Sequence, residues 1–191
     1  MNCQPTAIPE VLLFKPTLHC DERGFFMETF RQNEFDACLT ANGMMPTQLV
    51  QDNVSRSQRH VLRGLHFQSK QPQGKLVRVS HGEIFDVAVD IRPQSATLGH
   101  WVGHIISAEN RLQMWIPPGF AHGFYVLSDI ADIVYKCSDY YQSDDEQVIA
   151  WNDPQLAIDW PLKGEPILSI KDNPQFFSQT APSSPMMQKI K

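Results

Sequence analysis

Long apolar runs, a surplus of positive charge and paired cysteines are all missing from this sequence, and each absence removes a class of protein. No segment stays apolar over the roughly 18 residues that a bilayer span requires, and the N-terminus lacks a basic-then-apolar leader. The chain is therefore expected to be soluble and cytoplasmic, with no membrane partner. Lysine and arginine total 16 against 21 acidic residues, a formal charge of −5. No basic face is evident, which argues against a nucleic-acid partner; positive charge that meets an anion must be local. Cys3, Cys20, Cys38 and Cys137 are irregularly spaced with no CxxC pair. That pattern suits free thiols in a reducing compartment better than a disulfide framework or a zinc site.

Helical periodicity is scarce too. One short helix is predicted after Asn33 as its cap, with Phe35, Cys38 and Leu39 on one side and a stop at Asn42-Gly43. Earlier, Val11–Phe14 lies between prolines and suits an edge strand, and an aromatic strand Phe25–Phe30 follows the turn Asp21–Gly24. From Gln48 the pattern alternates strand and turn. The expected strands are Gln48–Ser55, Val61–Gln68, Leu76–Ser80, Glu83–Ile91, Trp101–Ser107, Gln113–Ile116, Gly123–Leu127 and Ala131–Ser138. His81-Gly82 looks like a hairpin turn. So many short strands imply a mainly β sandwich or barrel. Neither a repeat nor a linker divides the 191 residues, so residues 1–178 form one domain. After Trp151 the proline-rich chain is expected to wrap the barrel, and residues 179–191 read as a flexible tail.

Most chemistry is concentrated between Val61 and Arg92. In Glu83–Ile91, Phe85, Val87, Val89 and Ile91 share one face, while Ile84, Asp86, Ala88 and Asp90 share the other, as the inside of a polar-lined barrel would. Arg63, His66 and Lys75 lie close by and suit an anionic substrate. Strict alternation puts Arg63 and His66 on opposite faces; a bulge at Gly64 would re-aim one of them. The segment Pro117–His122 fits P-x-G-x-x-H, a pattern of cupin barrels, many of which hold a metal. Here, however, the other half of such a ligand set is His66-Phe67-Gln68, followed by lysines, so no metal is expected. That leaves acid–base work for His66. Tyr135 shares a face with Ala131, Ile133 and Cys137 and is either a core phenol or a proton donor. Tyr140 and Tyr141 suit a barrel rim or a stack on a planar base. Asp172 taken alone is a turn residue, which sequence spacing cannot bring to His66.

Six segments in colinear order carry a resemblance: Asp21–Phe26, Val50–Asn53, Leu62–Gln68, Gln73–Arg78, Phe120–Phe124 and Lys171-Asp172. Together they resemble the dTDP-4-dehydrorhamnose 3,5-epimerases. The resemblance implies a cupin-type jelly-roll β-barrel with a few short helices, mostly peripheral and C-terminal. It also implies no cofactor or metal, a dTDP-4-keto-6-deoxysugar substrate, and a homodimer exchanging an N-terminal strand. By matching motif, His66 is the base, Asp172 its orienting carboxylate, Tyr135 the opposing acid, and Lys75 the neighbour of the C4 oxygen. Arg23, Glu28, Gln51, Asp52, Asn53, Arg63, His122, Glu146 and Lys171 fall in the nucleotide-sugar site. Phe26 and Tyr141 fall where aromatics meet thymine, and the partner subunit would supply Arg23, Phe26 and Glu28. Relatives that invert C3 or C5 alone share most of these residues, so double inversion is the expectation and single inversion the alternative, with a metal cupin behind both.

Overall fold

The computed structural model describes residues 2–174, and its backbone is overwhelmingly extended. Four short strands come first: β1 (Asn2–Pro5), β2 (Leu12–Lys15), β3 (Leu18–Asp21) and β4 (Gly24–Met27). Helix α1 (Gln32–Ala41) precedes the main strands β5 (Gln51–Gln58), β6 (Leu62–Gln68), β7 (Lys75–His81), β8 (Glu83–Asp90) and β9 (Trp101–Ser107). Then follow β10 (Gln113–Ile116), β11 (Phe120–Val126), β12 (Ile130–Cys137), β13 (Glu146–Val148) and a 3-10 turn, Ile170–Asp172. A six-stranded sheet runs β1-β2-β10-β7-β12-β5 and faces a five-stranded sheet, β13-β6-β11-β8-β9; β3 and β4 form a separate ribbon. All these pairings are antiparallel. Two facing antiparallel sheets of this kind give the jelly-roll barrel that was expected.

Alternation along each strand sorts side chains into layers. Val77, Val79, Ile84, Ala88, Met114 and Ile133 meet between the sheets. Phe85, Val87, Val89 and Ile91 point the other way, where Leu156, Ile158, Trp160 and Leu162 of the irregular C-terminal segment cover them. Leu12, Phe14, Leu76 and Trp115 form the outer face of the six-stranded sheet under Phe35 and Leu39 of α1. At about 25 cal/mol per Å² of apolar surface removed from water, this two-sided burial is the main stabilising contribution.

Several local expectations need correction. Helix α1 starts before Asn33: Arg31 occupies the cap position without a side-chain bond, and its carbonyl accepts from Phe35 N–H at 3.0 Å. Asp36 accepts instead from Thr47 N–H and from Gln32 Nε2, both at 3.0 Å, tying the helix to the chain that follows it. The Val11–Phe14 segment is not an edge, because β1 covers one side of β2 and β10 the other; the flanking prolines lie outside the ladder. His81-Gly82 is not a hairpin turn. It carries the chain out of the six-stranded sheet at β7 into the five-stranded sheet at β8, and Gly82 supports this crossing at φ +78°.

Candidate active site

A cavity of about 500 Å³ opens between the sheets at the end where β6, β7, β11 and β12 converge. Its floor comes from alternation on the six-stranded sheet. Tyr135 on β12 is opposite Asn53 on β5 and Val77 on β7. Two residues on, Cys137 is opposite Gln51 and Lys75. Gln51, Asn53, Lys75, Tyr135 and Cys137 therefore share the inward face and all line the cavity.

The opposite wall depends on a register defect. His66 pairs with His122 and Arg63 with Phe124, so two residues of β6 face one of β11. That is the bulge expected at Gly64, and it turns both Arg63 and His66 into the cavity. Only glycine fits there: Gly64 has φ +128°, and an added Cβ would lie 2.5 Å from the Cα of Gly123.

Asp172, 106 residues away in sequence, arrives on the 3-10 turn with its Oδ1 2.5 Å from His66 Nε2. Gly64 N–H also donates to Oδ1 at 3.4 Å, and Ser169 Oγ donates to Oδ2 at 2.6 Å. Burial pushes this carboxyl up, but His66 first, then Ser169 and Gly64, more than offset it and hold it below the usual carboxylate range. Lys75 and the Tyr135 hydroxyl have no hydrogen-bond partner among the described residues. Burial lowers the Lys75 ammonium from its ordinary value and raises the Tyr135 phenol. His122 Nε2 sits 2.7 Å from Asp86 Oδ1, while the other Asp86 oxygen is buried without a partner.

Most predicted site residues converge. Beyond those above, Tyr141, Glu146 and Lys171 line the mouth, where Lys171 Nζ meets both Glu146 oxygens at 2.9 and 2.7 Å. Tyr141 donates its hydroxyl to Glu146 at 3.2 Å. Asp52 does not join them: between inward Gln51 and Asn53 it points to the outer face, its oxygens 2.8 and 2.9 Å from Lys136 Nζ. Nor do Arg23, Phe26 and Glu28 line the cavity of their own chain. Arg23 and Phe26 project on the exposed β3–β4 ribbon, with Phe26 69% accessible; Glu28 just beyond pairs with Arg31.

Three contributors were not assigned a role from sequence. Ser169 braces Asp172, and the spacing Ser169-Ile-Lys-Asp172 is the signal that could have found it. Asp86 was legible as an inward carboxylate, though not as the partner of His122. Cys137 follows from the alternation that places Tyr135. Among the described residues no group of three or more His, Cys, Asp or Glu side chains is placed to hold a metal ion, and no helix is long and apolar enough to cross a membrane.

The family described as dTDP-4-dehydrorhamnose 3,5-epimerase matches residues 5–178. An enzyme of that name from Pseudomonas aeruginosa is 55% identical over 172 residues, 90% of this chain and 93% of that one. Its Escherichia coli counterpart is 52% identical over 177 residues, 92% and 94% of the two chains. The crystal structure of the dTDP-6-deoxy-D-glucose-3,5-epimerase of Legionella pneumophila, in complex with dTDP-4-keto-L-rhamnose, superposes with a TM-score of 0.85. It is 56% identical, with 90% of this chain and 89% of that one covered.

Proposed function

Because the chain belongs to the dTDP-4-dehydrorhamnose 3,5-epimerase family, and is thus an isomerase, we propose that it inverts C3 and C5 of dTDP-4-dehydro-6-deoxy-D-glucose by a histidine–tyrosine proton relay. Hydrogens on C3 and C5 are acidic only because both carbons flank the C4 ketone. His66 removes one as general base, and Asp172 orients the imidazole and stabilises the imidazolium that forms. The electron pair moves onto the C4 oxygen, where the Lys75 ammonium meets the enolate charge. Tyr135 returns a proton to the opposite face, and solvent restores both side chains before the second carbon reacts. The ketone supplies the acidity, so the reading calls for no cofactor.

The observation that carries this reading is that His66 and Tyr135 come from opposite sheets to line one cavity, with Lys75 beside Tyr135 and Asp172 behind His66. Arg63 offers a planar fork to a diphosphate, and binding of the nucleotide would hold the sugar for reaction. The exposed ribbon supports a second element of the proposal, a homodimer in which Arg23, Phe26 and Glu28 of one subunit complete the cavity of the other. Mixing an Arg23→Ala protein with a His66→Ala protein should then restore up to about a quarter of wild-type activity, since only mixed dimers hold one intact site.

Proton NMR of the ketosugar nucleotide with enzyme in heavy water tests the reaction. Loss of both the C3 and C5 resonances is expected. Exchange at one carbon makes the protein a single-site epimerase, and exchange at neither removes the proposal.

A further inference from the structure

Next in sequence to the cavity-lining Glu146 is a heavily bonded carboxylate, that of Asp145, which is 6% accessible. Three consecutive backbone N–H groups converge on it. Oδ1 accepts from Ser69 N at 3.2 Å and Lys70 N at 3.0 Å, and Oδ2 accepts from Lys70 N at 2.9 Å and Gln71 N at 2.8 Å. Ser69 Oγ donates to Oδ1 at 2.8 Å as well. Successive N–H groups curled around an anion form a nest, and here the anion is the protein's own. Burial pushes this carboxyl up, but the donors from Gln71, Lys70 and Ser69 outweigh it and keep it below the ordinary carboxylate range.

What the nest joins gives it meaning. Residues 69–74 link β6, which bears Arg63 and His66, to β7, which begins at Lys75. Asp145 immediately precedes Glu146, the first residue of β13, a strand of only three residues. So short an edge strand has little ladder of its own to hold it. Glu146 is directly opposite Gln68, and its carboxylate receives Lys171 and the Tyr141 hydroxyl.

We propose that Asp145 is a positioning residue for substrate binding: by clamping residues 69–71 it holds Glu146, and through it Tyr141 and Lys171, in place at the cavity mouth. Val148 of β13 stands opposite His66, but that end of the strand is held by reciprocal Leu65–Ile149 backbone bonds. Asp172 is braced by Gly64 and Ser169, so the clamp governs the nucleotide end of the site and not the proton relay. The inference rests on the functional reading above and adds to it a residue that touches no substrate.

The test is Asp145→Asn, which keeps the shape but turns one acceptor into a donor aimed at backbone N–H groups. KM for the ketosugar nucleotide should rise about 10-fold while kcat stays within about 2-fold, the signature of lost binding common to ground and transition states. Calorimetric affinity for dTDP alone should fall by a similar factor. A merely structural role would lower the melting temperature and the active fraction, reducing apparent kcat with KM and dTDP affinity unchanged, and that result overturns the proposal, as does no change at all. Should D145N not fold, Ser69→Ala removes one side-chain donor to Asp145, together with the acceptor of Gln147 Nε2, and should raise KM about 3-fold; an unchanged KM there is equally fatal. Wild-type protein that exchanges no substrate protons would defeat the functional reading, whereas exchange with an indifferent D145N defeats this inference alone.

Discussion

His66 and His122 stand directly opposite one another on neighbouring strands, yet each ends on a different buried carboxylate. The two pairs are not equivalent. Asp172 has both oxygens engaged, by His66 and Gly64 on one and Ser169 on the other. Asp86 leaves one buried oxygen without a partner. A carboxylate braced on both oxygens fixes the orientation of the imidazole it serves, which is what the base role proposed for His66 requires.

Asp172→Asn should therefore lower kcat by about 10²–10⁴-fold with little change in KM, because the amide favours the wrong imidazole tautomer. Ser169→Ala should act in the same direction by less than about 10-fold. Steady-state kinetics on the ketosugar nucleotide check both, and a D172N enzyme within threefold of wild type would remove Asp172 from the mechanism.

Tyr135→Phe removes the proposed acid while leaving the proposed base, His66. Turnover should fall by about 10²–10⁴-fold, with dTDP affinity preserved. Residual deuterium incorporation at C3 that exceeds net inversion would show His66 still taking and returning a proton on its own face. NMR in heavy water reads both quantities from one sample.

Lys75 titrates below the 10.5 of an unperturbed lysine because burial disfavours its charge. In the proposed mechanism the ammonium is the active form, so activity should decline as pH rises through this depressed value, while burial raises the Tyr135 phenol above 10. Lys75→Met should cost about 10²–10³-fold in kcat. Lys75→Arg should lose rate but move the alkaline limb upward, and an unmoved limb would exclude Lys75 as its origin.

Acid stability should depend on Asp90, fully buried and bonded to Arg92, Ser95 and Thr97. Despite burial, which raises it, these hydrogen bonds bring its pKa down to about 2. A depressed carboxylate stabilises the fold above its unfolded pKa near 4, and that contribution disappears as pH falls from there through about 2. Asp90→Asn should cost about 2–3 kcal/mol near neutrality, since the charge-assisted bonds that depress this carboxyl are lost while Arg92 keeps Glu10 as a partner. The difference from wild type should shrink in urea titrations repeated at pH 5, 4 and 3; a constant difference would contradict it.

Period-2 alternation sorted the side chains of β8 and β12 into faces from the sequence alone. The glycine between Arg63 and His66 marked the bulge because a strand that must aim both residues inward has to gain a residue somewhere. Tertiary structure alone decided the long-range matters. Asp172 reaches His66 because the C-terminal segment packs its apolar side chains over the outer face of the five-stranded sheet and then turns back at residue 170. Asp52 faces away by the same alternation that groups Gln51 with Asn53, and pairing with β12 decides only that the Gln51–Asn53 side is the inner one. The turn at His81-Gly82 joins two sheets and not two neighbouring strands, since each strand takes the partner that buries both its faces. Alternation is a local property of the chain, whereas pairing and closure are settled only when distant apolar surfaces compete for the same cover.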